Sequence, residues 1–355
     1  MSKSRSTIAA ITLLLATGAG CFGLGGDSAP TAATGGIWLS ENSGSSWIAK
    51  STLPTATGTA SINGLDILTL EQDPSDDSAI YLGSKTSGVF YSLDSGESWM
   101  RPENQFAASG SVLDIEVDPR NVCTYYVLKA DRLLKTETCG REFDVETYVE
   151  TRTDESLTSL ALDWYNPNTV FIGTTQGDII RSLDGGATWT AVFRARNSIV
   201  DFEMSNADSR IILAGTAKEG IFRSVDGGTT WSSLEESLKL FPNADKVLGF
   251  SQTADGSRIL LRSAFGLMTS DDNGATWIGL RLVTGASAGI AAAEVAPHDK
   301  NLIYYSSGAT FYTSTSGGSA WSTSVMPSTR LASIIHVDEG NQERVYLGVM
   351  AVEKD

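Results

Sequence analysis

The 355 residues carry 26 Lys and Arg against 42 Asp and Glu, a formal charge of -16. A surface of that sign repels phosphate backbones and excludes nucleic acid as an expected partner; a cationic protein patch, a cation or a neutral sugar is compatible with it. With 41% hydrophobic residues the chain has ample core material, and length alone suggests two domains, a prior that an internal repeat overrides.

Lys3 and Arg5 open the chain, Ile8 to Ala16 form a short apolar run, and Gly18, Ala19 and Gly20 precede Cys21. Residues 1–20 therefore read as a targeting segment outside the fold, with an apolar run too short to span a bilayer. Residues 21–35, rich in Gly, Ser, Ala and Thr, read as a flexible tether. The arrangement resembles a bacterial lipoprotein signal. That implies lipidation of Cys21, export, and anchorage in the cell envelope, periplasmic or at the cell surface, with membrane contact through the lipid alone. Gly18 stands where a Leu-like residue is usual, so a plain secretory signal cleaved nearby is the other reading. Phe22 replaces the Asp that would retain such a protein at the inner membrane.

From residue 36 onward one short phrase recurs. SLDGGATW (Ser182 to Trp189) has near-twins starting at Ser92, Ser224 and Ser270, and weaker copies starting at Ser40, Thr136 and Ser314. Successive starts lie 52, 44, 46, 42, 46 and 44 residues apart. A period of this length with turn chemistry at one phase predicts propeller blades. Before each box run two or three segments rich in Ile, Val, Tyr and Phe, such as ILTLEQDP from Ile67 and VLDIEVDP from Val112, which are strand signals. The fold expected is all-β: a single seven-bladed propeller over residues 36–350, with 351–355 frayed. The first box has only GIWLSE before it, while LASIIHVDEG and RVYLGV at the other end have no box. The two ends are therefore expected to share one blade.

The box has a structural logic. Asp94, Asp184, Asp226 and Asp272 are placed to accept amides within the turn, and the Gly two positions later to supply positive φ. Trp47, Trp99, Trp189, Trp231, Trp277 and Trp321 offer a large apolar face with an N–H to satisfy. In the third copy Thr138 and Phe143 replace Asp and Trp, so both the turn bond and the indole are expected to be lost. With Cys21 lipidated, Cys123 and Cys139 remain as a pair in an oxidising setting. A hairpin about Ala130 and Asp131 would set Cys123 opposite Thr138, so a disulfide to Cys139 is expected. Residues 232–241 suggest a short helix, with Ser233 and Glu236 as a capping box.

The phrase resembles the Asp-box, or BNR, repeat Ser-x-Asp-x-Gly-x-x-Trp. In that superfamily ligands take the face carrying the blade-to-blade loops, which here holds Lys85, Arg101, Glu103, Asp154, Glu155, Arg194, Arg196, Arg262, Arg281 and Arg330. Sialidases of the superfamily have six blades and a Phe-Arg-Ile-Pro-like motif absent here. Xyloglucanase-type glycoside hydrolases use two rings and an Asp within a phrase like Arg-Thr-Asp-x-Gly-Gly. The matching stretch GSKTSG has Lys85 at that position. A single ring behind an export signal resembles the photosystem II assembly and stability factor family. That resemblance implies a non-enzymatic, envelope-anchored scaffold with a protein partner on the loop face. A polysaccharide-binding module or hydrolase using Glu103, Asp154 or Glu155 is the alternative. His298 and His336 are isolated, and no phosphate loop or G-x-S-x-G occurs, so no catalytic residue, cofactor or metal is expected.

Overall fold

A computed structural model describes residues 35–284 and 289–352. The expected signal segment, Cys21, the tether before Gly35 and residues 353–355 lie outside the described residues. No helix among the described residues is long and apolar enough to cross a membrane.

The strand signals become antiparallel sheets, each meandering from an inner to an outer strand. The inner strands of blades one to seven are Leu331–Val337, Ile67–Asp73, Asp114–Val117, Leu157–Leu162, Ile199–Met204, Val247–Gln252 and Ala292–Ala296. Each packs beside the next, and the seventh beside the first, so the ring is closed. Blade two is the irregular one. It has three full strands, with a lone bridge from Tyr91 to Met100 at the fourth position. Blade one combines both chain ends, as expected: Gly36–Ser40 lies between Ile48–Ala49 and Val345–Met350. Five residue pairs, from Gly36 with Val349 to Ser40 with Val345, zip them together and leave neither end as a free edge.

The core lies between blades. Second strands such as Val170–Thr174 are buried along their whole length because neighbouring blades cover both faces. Near the end of such strands stands a glycine, Gly83, Gly173, Gly215 or Gly348. A Cβ on Gly173 would come within 2.3 Å of Ser159 Oγ and 2.7 Å of Ile199 in the next blade. The inner strand opposite carries a bulge at the same place in five blades, between residues 67 and 69, 157 and 159, 199 and 201, 247 and 249, and 332 and 334. Bulges re-aim side chains. Here they lie beside the channel residues described below.

The box turns follow the expected chemistry. Asp94, Asp184, Asp226 and Asp272 accept the amides of Ser98, Thr188, Thr230 and Thr276 at 2.8–2.9 Å. The box Ser adds a bond of its own, Ser182 Oγ accepting the Gly186 amide at 2.9 Å. The indoles differ more than the motif suggests. Trp99 is fully buried and donates to the Lys50 carbonyl at 3.0 Å, Trp189 and Trp321 donate to Thr147 and Arg281, and Trp231 donates to Gly228 within its own turn. The Nε1 atoms of Trp47 and Trp277 have no hydrogen-bond partner.

Two expectations are corrected. The third copy keeps its turn bond, because the Thr138 hydroxyl accepts the Glu142 amide at 2.8 Å where a carboxylate would have done so. The helix is a single turn, Glu235–Leu238, capped by no side chain; Ser233 Oγ accepts the Glu235 amide instead.

Cys123 and Cys139 form a disulfide across the hairpin of blade three. The closed loop spans 16 positions, so chain-entropy scaling gives it about 3 kcal/mol. The paired C123S/C139S variant is expected to unfold at lower denaturant, with a slope equal to or steeper than that of the disulfide-bonded protein because its unfolded chain is less constrained, which urea titration by tryptophan fluorescence would show.

Candidate functional site

The loop face carries the sequence-expected residues, and the structure divides them. Arg101 is a structural clamp: it donates to the Ser87 and Ala108 carbonyls and lies over the Phe90 ring. Arg330 pairs with Asp66 at 2.5 Å, and the Lys85 amide bonds the Asp66 carbonyl. Glu155 is buried and bound to Arg152 at 3.0 Å; Glu103 and Asp154 are exposed. Arg281 is exposed on the connection from blade six to blade seven. Arg262 does not join this face as a free cation. It lies in the strand Ile259–Ser263, and its guanidinium points inward to the carbonyls of Leu248, Ile290 and Ala291.

Only Arg194 and Arg196 come together. They line a groove of about 480 Å³ between blades four and five, with Phe193, Phe222, Lys218 and Glu219. The two phenyl rings pack with centroids 4.9 Å apart and form its apolar floor. Arg196 holds Glu219 at 3.6 Å with a side chain 92% exposed, while Lys218 is exposed and has no ion pair or hydrogen bond among the described residues. Arg194 is anchored from below by Asp178 at 3.3 Å. Asp178 in turn is held at 2.7 Å by Arg152, which also binds Glu150 and Glu155. Arg152 was not among the sequence candidates, because nothing in its local phrase marks it as a hub.

The second site is the central channel. The inner strands turn their unpaired edge toward it, so amides there need partners from neighbouring blades. Asp114 accepts the Leu160 amide at 3.1 Å, Asp201 the Phe250 amide at 2.8 Å, and Ser251 Oγ the Val295 amide at 3.0 Å. One level further along each strand stand Glu71, Glu116, Glu203 and Glu294, with His336 in the equivalent place of blade one. All of these line a cavity of about 440 Å³.

Charge balance inside this cavity is lopsided. Burial, and next the charge of Asp201, push Asp114 up to about 7; burial lifts Asp201 to about 6. Burial followed by mutual repulsion raises Glu71, Glu116, Glu203 and Glu294 well above the usual carboxylate range. Burial also lowers His336 to about 4, so it stays neutral, and its Nε2–H donates to Gln72 Oε1, 3.0 Å away. Among the described residues no group of three or more Asp, Glu, His or Cys is arranged to hold a metal ion.

No family model and no curated protein matches the chain. Solved structures do. The GH74 enzyme of Niastella koreensis superposes with a TM-score of 0.65 at 18% identity, over 80% of this chain and 51% of that one. The GH74 xyloglucanase of Xanthomonas campestris gives 0.64 at 13% identity, over 80% and 51%. YCF48 bound to a D1 peptide gives 0.62 at 17% identity, over 86% of this chain and 96% of that one. This chain thus spans about half the length of the GH74 enzymes and nearly the whole of YCF48. At these identities the likeness establishes the shared architecture: the chain is a seven-bladed β-propeller of the kind found in both.

Proposed function

We propose that this protein is a non-enzymatic scaffold or assembly factor, exported and lipid-anchored in the cell envelope through Cys21, that binds a segment of a protein partner on the loop face. The observation that carries the reading is the groove between blades four and five. It joins an apolar floor, Phe193 and Phe222, to a rim of mixed charge in which Arg194, Arg196 and Lys218 stand beside Glu219, Glu235 and Asp245. Such a groove suits an extended segment with an apolar anchor and flanks of mixed charge, gripped by rim charges that act mainly on association rate. The same architecture in YCF48 accommodates a D1 peptide, which supports peptide binding as a use of the ring.

The test is crosslinking in cells with the tagged protein, wild type against R196E/K218E. Arg196 and Lys218 anchor nothing in the core, so the variant is expected to fold while losing its protein partner. Equal capture by the folded variant would remove the groove from the proposal. The likeness to GH74 keeps a polysaccharide reading in view, with exposed Glu103 and Asp154 as its carboxylates. Two carboxyl groups at a set separation would be needed for hydrolysis. Release of reducing sugar from xyloglucan by the purified protein, lost in E103Q or D154N, would replace the scaffold reading.

A further inference from the structure

We infer that the groove takes its guest as an added β-strand: an extended segment of a protein partner pairs its backbone with the free edge of blade four's outer strand, Thr190–Arg194. The inference rests on the protein-binding reading above and says how that site binds. Thr190–Arg194 ends its sheet, paired on one side with Asp178–Ser182 and on the other with no strand among the described residues. Backbone groups along such an edge are ready to pair with another chain, and folded proteins blunt them by keeping edge strands short or charged. The other blades follow that rule or tie the strand down. The outer strands of blades one, five and six, Ile48–Ala49, Ser232–Ser233 and Ile278–Gly279, are two residues long, and blade two has only a lone bridge there. Blade three's Asp144–Val149 carries exposed Asp144 and Glu146. In blade seven's Ser322–Val325 the Ser324 hydroxyl donates to the Gly44 carbonyl of blade one at 2.6 Å. Blade four's strand is five residues long, uncharged from Thr190 to Phe193, and borders the groove through Phe193 and Arg194.

The walls of the groove say what the guest carries. Along an added strand side chains point alternately to the two faces of blade four, so every second one turns toward blade five. There it meets the packed rings of Phe193 and Phe222. The rim around them holds a cationic pair, Arg196 and Lys218, and, on the segment that follows blade five's outer strand, an acidic pair, Glu235 and Asp245. A guest with an apolar residue flanked at alternate positions by one acidic and one basic residue complements both the floor and the rim. A bulge at Val192 bends the edge strand and interrupts its register, so pairing is confined to a few residues and the guest is a short segment. In this mode main-chain hydrogen bonds supply affinity and the alternate side chains supply selectivity.

The probe is a short peptide selected from a random display library on the purified protein, with binders that also hold R196E/K218E removed. Its backbone amides are then N-methylated one at a time, which deletes a donor and leaves every side chain in place. Affinity is expected to fall about tenfold or more at every second central position and to stay within about twofold at the positions between, the period of a strand pairing along one edge. Hydrogen exchange at the amides of Thr190–Arg194 is expected to slow when the peptide binds. A peptide that loses affinity to R196E/K218E yet tolerates N-methylation throughout would leave the groove standing and overturn strand addition. If no selected peptide distinguishes the folded R196E/K218E variant from wild type, the groove itself falls, and this inference with it. Self-association in ultracentrifugation that protects the same amides without peptide would assign the edge to a second copy of this chain and overturn the proposal.

Discussion

Between pH 5 and pH 8 the unfolding midpoint of the propeller is expected to fall, by roughly 5–10 °C, which the channel carboxylates cause. A carboxyl whose pKa is higher folded than unfolded binds more protons in the folded state. Its contribution is present at low pH and is lost as pH rises through the folded value. Asp114 at about 7 and Asp201 at about 6 stand above the ordinary 3.8, and four glutamates are raised with them. At about 1.4 kcal/mol per pH unit, the aspartates alone amount to a few kcal/mol after allowance for channel water.

Two groups of side chains oppose this trend, and neither reverses it. His336, lowered from 6.5 to about 4, gains stability as pH rises, but that gain is complete near pH 6.5 and comes from one residue. The box aspartates Asp184 and Asp226, held at about 2 chiefly by bonds from Thr188 and Thr230, lose stability only as pH falls below about 4. The optimum is therefore expected near pH 5. Replacing Glu116 by Gln should raise the midpoint at pH 8 and flatten the profile, since it deletes an unpartnered charge. A midpoint that stays level or climbs from pH 5 to pH 8 in differential scanning calorimetry would contradict this account.

Arg152→Ala is expected to be among the most damaging single changes outside the core. Arg152 joins Glu150, Glu155 and Asp178 at 2.7–3.0 Å, and Glu155 and Asp178 are buried. Removing the cation leaves two enclosed carboxylates facing each other, a loss of about 3–5 kcal/mol for a fully buried pair. The Arg152 side chain is 40% exposed, so water compensates part of it and about 2–3 kcal/mol is expected. Arg194, held through Asp178, should also lose its anchor. Chemical denaturation reads the stability loss, and Arg152→Lys is expected to recover only part of it, because an ammonium cannot reach all three acids in one plane.

The ring was legible because its signal is repeated. A turn with Ser, Asp and Gly at fixed offsets is a local device, and its phase alone counts the blades and shows which one the chain ends share. Where the box degenerates, the residue name misleads. Thr138 looks like a lost acceptor, yet its hydroxyl takes the same amide. The channel is legible in part. In ILTLEQDP, VLDIEVDP, IVDFEMSN and IAAAEVAP a Glu stands at one fixed place in an otherwise apolar inner strand. A lone acid there looks like an irregularity, and only the recurrence marks a ring. Convergence on the loop face was not legible, because long charged side chains reach partners set by tertiary distance. Arg262 turned inward, Glu155 met Arg152, and only Arg194, Arg196 and Lys218 met over the two phenylalanines.

The zip between Gly36 and Val349 has a consequence for how the molecule comes into being. Its two halves are the most distant parts of the ring in sequence, so the ring's last strands must find its first. Until residues 331–350 arrive, Gly36–Ser40 is an open strand with one hairpin neighbour, and blade seven has no sheet on its far side. Blades two to six can stack locally as they emerge. The channel, with its ring of glutamates, exists only once the circle is shut, so the charge repulsion it concentrates falls on the final step of folding and not on the earlier ones.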